Sequence, residues 1–287
     1  MRKFTVAGVD QLVGACRIPS WSDVEDFLKN GWFHDATGAL PTPPPQLDFF
    51  SKSLDALGTM LGNGPDPTLP PGQDPVGDCV CACDLHLAAM RACNAGAPWV
   101  PQTSQALDLY STLTGFRPGD PSTDQGTDPL ALLRYRLGGA VYPDGSRILD
   151  ARFVDATSEQ KLKEAMWLAD GCIAWASMPD GWESLEEGDD IWDLDGPPNP
   201  QNGHCFGLGE FGLQRIKLVE WGMPSKSARA IRMTYRAAAK YLVPAAGGGV
   251  VAMVGSNMFD RATAKCPAGF DLSTLKGYVD SLGGAVS

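Results

Sequence analysis

No stretch of this 287-residue chain approaches the roughly 18 consecutive apolar residues that a bilayer-spanning helix needs. Positive charge is also in short supply: 23 Lys and Arg stand against 34 Asp and Glu, a net charge of −11. A surface of that sign repels nucleic acid and anionic membranes, so neither is expected as a partner. Paired C-x2-C knuckles are missing, and with them the usual spacing of zinc ligands. Cys79, Cys83 and His86 do fall on one helix face at i, i+4 and i+7, but a four-coordinate site would need others such as Cys93 or Cys205. No metal and no cofactor is expected. No internal repeat is present.

Apolar residues at 44% and charged residues at 20% describe a globular chain long enough for one large domain or two small ones. Eight cysteines are a small share of that length. Cys79, Cys81 and Cys83 are two apart in one presumed helix and do not face each other, so most thiols are read as reduced and the compartment as intracellular rather than secreted. The start, Met1-Arg2-Lys3 before residues 4–16, imitates a signal sequence, and Val13-Gly14-Ala15-Cys16 a lipoprotein cleavage box. Asp10 and Gln11 interrupt the apolar stretch and argue against both.

The most informative stretch is Gln73-Asp74-Pro75-Val76-Gly77-Asp78-Cys79. Pro75 and Gly77 force a tight approach, Asp78 is a good N-cap residue, and a run of helix formers follows from Cys79 to a stop at Gly96. A thiol in the first helical turn faces backbone N–H groups without intrahelical partners, and the helix dipole favours its thiolate. Cys79 is therefore a candidate nucleophile; the alternative is one buried cysteine among four in a helix of small residues. His86 is excluded as its base, since seven residues of helix place it about 10 Å away. His34, between Phe33 and Asp35, reads as a surface or packing residue.

Before this stretch, residues 1–40 form an extension with one amphipathic piece, where Ser22 and Glu25 make a capping-box pattern. Pro41-Thr42-Pro43-Pro44-Pro45 is a stiff linker. After it the spacing predicts helices over 104–113, 129–137 and 158–168, and strands over 172–178, 204–209 and 215–220. A helix is expected over 229–241, a flexible run over 245–249, and a turn into a short C-terminal helix after Cys266. The acidic run from Trp182 to Asp195 selects basic substrates, binds a cation, or is simply a solvated surface.

Three segments together resemble the papain-like cysteine peptidases. Gln73 lies six residues before Cys79, as the family's oxyanion-hole Gln does. Asn202-Gly203-His204-Cys205-Phe206-Gly207 resembles its Gly-His-Ala-Val strand, and Val219-Glu220-Trp221-Gly222 its Asn-Ser-Trp-Gly. His204 follows Cys79 by 125 residues, close to the roughly 130–150 typical of the group. The loop Asp124-Gln125-Gly126-Thr127-Asp128 resembles the Gly-Gly loop that pairs with extended substrate, with Gly126 as the pairing residue; the alternative is an ordinary helix-entry turn capped by Asp128. The C-terminal segment resembles that of papain-fold proteins from bacteria and their phages.

The resemblance covers roughly residues 41–287. It implies an α+β, papain-like two-lobed fold: a helical lobe with the Cys79 helix, an antiparallel β-barrel-like lobe, and an N-terminal extension. The helical half would run over about 41–150, the strand-rich half over about 151–243, and a tail over 244–287. The implied activity is a peptidase- or amidase-type hydrolase using Cys79, His204, Gln73 and Glu220, with Gly126, Gln125 and Trp221 binding a peptide or protein substrate. Val219 occupies the slot of the family's Asn and cannot orient an imidazole; Glu220 is one position away, and strand alternation would point it the other way, so either it reaches His204 through a local bulge, a backbone carbonyl or water orients the ring, or the dyad is weak. That departure leaves open a structural or binding protein of papain fold, for example a virion component whose residues 1–40 dock on other subunits. As an enzyme those residues would be either an inhibitory pro-region or a docking arm, and the arm is the preferred reading.

Overall fold

The structure is a computed structural model that describes residues 2–6, 9–13, 16–20, 23, 42–50, 76–184, 191–219 and 231–281; the side chains of 2–6, 9–13, 183, 184, 219 and 279–281 are not described. Gln73, Glu220 and Trp221 lie outside these residues, as do most of the amphipathic piece around Ser22 and residues 185–190 of the acidic run.

Helix α1, Cys79–Asn94, is the axis of the molecule and is buried from Cys79 to Cys93. A helix enclosed on all sides shows no amphipathic stripe, so its small residues Ala82, Ala88, Ala89 and Ala92 serve close packing. Asp78 stands at its N-cap position, but its side chain makes no capping hydrogen bond. Around it lie α2 (Thr103–Thr114) and α3 (Pro129–Leu137), the latter with Asp128 accepting from the Leu130 N–H at 2.8 Å. The buried carboxylate inside α1 is matched. Asp84 accepts from Arg136 Nη2 at 2.6 Å and Nε at 2.8 Å, and from the Tyr142 hydroxyl at 2.5 Å. Arg91 Nε donates to the Ala169 carbonyl at 3.0 Å, at the end of α4 (Glu159–Ala169), where a helix leaves carbonyls without partners.

The second half is one open sheet of eight strands. Its order runs from β4 (Ile148–Phe153) through β10 (Gly249–Gly255), β5 (Cys172–Ser177), β7 (Gly203–Phe211), β8 (Arg215–Val219) and β9 (Arg232–Thr234) to β6 (Ile191–Trp192), with β3 (Leu47–Asp48) pairing the end of β7. Every pairing is antiparallel except β6 with β9. The sheet does not close into a barrel, which corrects the barrel-like lobe expected from the resemblance. The expected helix over 229–241 is a strand, β9, followed by a shorter helix, α5 (Tyr235–Tyr241), capped by Thr234. The expected flexible run over 245–249 is a short 3-10 turn leading into β10, a central strand. The C-terminal helix is α6, Leu272–Ser281.

The N-terminal extension begins as a hairpin, β1 (Arg2–Val6) and β2 (Val9–Val13), with Arg2 opposite Val13 and Val6 opposite Val9. β1 lies against the 3-10 turn Asp180–Ser184 and β2 against β7. From there residues 16–18 cross to the N-terminus of α1.

Candidate active site

Cys79 is the first residue of α1 and His204 the second of β7, and both are wholly buried. The two side chains are hydrogen-bonded across the junction of helix and sheet. Burial on its own would push the Cys79 thiol up. A hydrogen bond from the Cys16 thiol, the hydrogen bond and charge of His204, and the Cys205 backbone amide outweigh it and bring the thiol down from 9.0 to about 6. Cys16, Cys81 and Cys205 are raised well above 9.0, chiefly by desolvation. His86 is a buried side chain whose burial lowers it to about 3, so it stays neutral.

Loop contacts hold the chain leading into Cys79 in place. The Gly77 N–H donates to Asp124 Oδ1 at 3.0 Å, and the Thr127 hydroxyl donates to the Gly77 carbonyl at 3.1 Å. The Tyr110 hydroxyl bridges the two ends of the same loop, donating to Asp124 at 2.5 Å and accepting from the Gly126 N–H at 3.0 Å. That hydrogen bond occupies the Gly126 amide. Gln125 is exposed and donates to the Ser122 carbonyl at 2.9 Å. The loop group that meets an extended chain is the Thr127 carbonyl, which accepts from the Arg17 N–H at 2.9 Å.

Residues 16–18 span the site. The Cys16 N–H donates to the Gly203 carbonyl at 3.1 Å on the sheet side, while Cys16 bridges Thr127 in parallel sense on the helical side. Gly203 has no room for a side chain, because a Cβ there would come within 2.2 Å of the Cys16 carbonyl oxygen. Ile18 packs beside it against the core, and Arg17 faces solvent near Asp128. Neither Cys16 nor Thr127 was singled out as a site residue by the sequence. A pairing made by backbone atoms leaves no mark on residue type, and only the short distance from Gly126 pointed near it.

The register of β7 and β8 is broken once. Leu208 pairs Leu218 and Glu210 pairs Lys217, so Gly209 is an extra residue that bulges β7. Val219 pairs Gly207.

The described ends of the acidic run are tied down. Trp182 stacks on Trp192 with ring centroids 4.6 Å apart, and the hydrogen-bonded guanidinium of Arg236 holds the Asp193 carboxyl well below the usual range. Among the described residues, no three His, Cys, Asp or Glu side chains are placed to hold a metal ion.

A thiol and an imidazole at the seam of a helical half and an open sheet make an arrangement that can be compared with known proteins. Neither a scan against protein-family models nor a search of the curated proteins gives a match. Solved structures do match. A structure from work on the mite allergens Blo t 1 and Der p 1 is 10% identical with a TM-score of 0.50, over 88% of this chain and 85% of the other. The ragweed pollen allergen Amb a 11, a cysteine protease in its proform, is 12% identical with a TM-score of 0.49, over 80% and 76%. Xylellain, a cysteine protease from Xylella fastidiosa, is 10% identical with a TM-score of 0.38, over 78% and 95%. The fold of this chain is papain-like.

If the His204 contact holds the Cys79 thiolate, the full-length protein should develop the thiolate absorbance that is lost in Cys79→Ala with a midpoint near 6. Below that pH the thiol is protonated; above it the thiolate persists. His204→Ala should move the midpoint up by at least about one unit, because burial then acts with less opposition. An unmoved midpoint would remove His204 from the site.

Proposed function

We propose that this protein is a cysteine hydrolase of the peptidase or amidase type, with Cys79 as nucleophile and His204 as its proton carrier. The observation that carries the reading is the hydrogen-bonded Cys79–His204 pair at a helix N-terminus, with the thiol lowered to about 6. In the proposed reaction the Cys79 thiolate attacks the carbonyl carbon of an extended peptide or amide, and the C=O π pair moves onto oxygen. The Cys79 backbone N–H and the Gln73 side chain stabilise that oxyanion. His204 gives its proton to the departing amine, leaving a thioester on Cys79. It then takes a proton from water, which attacks the thioester and releases the acid and the thiolate.

Glu220 is the proposed orienter of the imidazole. Its support is chemical: it is the carboxylate next to Val219, whose apolar side chain cannot accept a hydrogen bond from an imidazole. On this account Val219→Asn leaves turnover within about twofold, whereas Glu220→Ala lowers kcat by at least about tenfold. The opposite ranking would return the orienting role to position 219.

The second reading, a papain-fold binding or structural protein, is favoured by one observation: Cys79 is buried under Cys16. The deciding experiment uses an electrophilic peptide probe together with a panel of fluorogenic amides. The hydrolase reading expects covalent labelling at Cys79 and turnover that Cys79→Ala abolishes. Absence of both, in a chain freed of residues 1–18, would establish the binding reading instead.

A further inference from the structure

Eight free cysteines are buried in this protein, and their sulfurs are unevenly placed. Cys81 lies 4.0 Å from the Thr127 hydroxyl. Cys83 and Cys205 hydrogen-bond each other. Among the described residues, Cys16 is the thiol that hydrogen-bonds the nucleophile. It is held there by its backbone, through the Gly203 carbonyl on one side and the Thr127 bridge on the other, so its sulfur does not depend on its own rotamer alone to stay near Cys79.

We propose that Cys16 is the resolving thiol of Cys79: a peroxide oxidises the pair to a Cys16–Cys79 disulfide that fastens residues 16–18 over the nucleophile, and a dithiol releases it. The inference rests on the reading of Cys79 as a thiolate nucleophile. In the first step the Cys79 sulfur attacks a peroxide oxygen, the O–O bond breaks, and hydroxide leaves and takes up a proton, giving a sulfenic acid and water from hydrogen peroxide. In the second the Cys16 sulfur attacks the sulfenic sulfur, the S–O bond breaks, and the Cys16 proton goes to the departing hydroxide as a second water. The two thiols lose two electrons and the peroxide gains them. A dithiol reverses the bond by two successive exchanges and is itself oxidised to a disulfide.

The chemistry favours this pairing over simple damage. A low-pKa thiolate with no neighbouring thiol proceeds to sulfinic and sulfonic acids, which dithiols do not reverse, whereas a resolving thiol intercepts the sulfenic acid first. Burial of Cys79 slows every oxidant, so the reaction takes place in the fraction of molecules in which residues 16–18 have lifted, and the disulfide forms as they return.

The test treats the reduced full-length protein with hydrogen peroxide, then reads intact mass, non-reducing peptide maps and recovery in dithiothreitol. The expected product is about 2 Da lighter, with the Cys16 peptide joined to the one carrying Cys79, Cys81 and Cys83, and fragmentation placing the bond at Cys79. Dithiothreitol should restore the original mass. The Cys16→Ser protein, under the same peroxide, should instead gain about 32 or about 48 Da at Cys79 irreversibly. A disulfide at Cys83–Cys205 with Cys79 still open to alkylation would overturn the proposal, as would over-oxidation of Cys79 in the wild type equal to that in Cys16→Ser. Mass and mapping do not depend on turnover. If the freed Cys79 accepts an electrophilic probe but no Cys16–Cys79 bond forms, this inference alone fails; if it refuses the probe, the hydrolase reading fails with it.

Discussion

Deleting residues 1–18 should raise the rate at which an electrophilic peptide labels Cys79 by about 10²-fold. The estimate comes from what the crossing segment must release to open the site. Two backbone hydrogen bonds, from Cys16 to Gly203 and from Arg17 to Thr127, contribute about 1 kcal/mol each. Partial burial of Ile18 adds about 1 kcal/mol more. About 3 kcal/mol corresponds to roughly a hundredfold difference in the open population. Gly203→Ala gives an independent version without deletion, because its methyl would displace the Cys16 carbonyl from 2.2 Å away. Both variants should label faster at the same residue. If the truncated and full-length chains label at equal rates, residues 16–18 do not limit access to the thiol.

Asp84→Ala should cost about 3–5 kcal/mol of stability, lowering Tm by about 5–15 °C in a thermal melt. The carboxylate is wholly buried, and Arg136 is held against it with its guanidinium 3.8 Å over the Tyr142 ring. Removing the acid strands that charge between α1 and α3, where water cannot reach it. The double variant Asp84→Ala with Arg136→Met should recover part of the loss, since the uncompensated charge is gone. Because α1 begins at Cys79, loosening this tie should also blur the position of its thiol. A melt unchanged by Asp84→Ala would mean the pair contributes nothing net.

The sequence made the helices near the site legible because their ends carry side-chain signals. Asp128 and Ser158 both cap as their residue types suggest, and α3 spans Pro129–Leu137 as expected. Strands β5 and β7 were legible as apolar runs. β10 was not, because Gly247-Gly248-Gly249 reads as loose chain. In the fold, Gly249 is required by a close approach: a Cβ there would sit 2.3 Å from the Trp175 ring. The bulge at Gly209 was equally hidden, since it is a property of two paired strands and not of either sequence. Cys16 carried a misleading local signal, the imitation of a cleavage box, and its position beside Cys79 depends on a turn of chain that no short-range rule specifies.

The crossing segment is part of the same chain as the site it covers, and this changes how any ligand meets the protein. A separate inhibitor can be diluted away; residues 16–18 cannot. Their local concentration is on the order of millimolar whatever the protein concentration. For the hydrolase proposed above, substrate would compete with a tethered rival, and its apparent affinity would fall by the fraction of molecules that stand open. Enough substrate still fills every open site, so the tether should weigh on KM and leave kcat nearly unchanged.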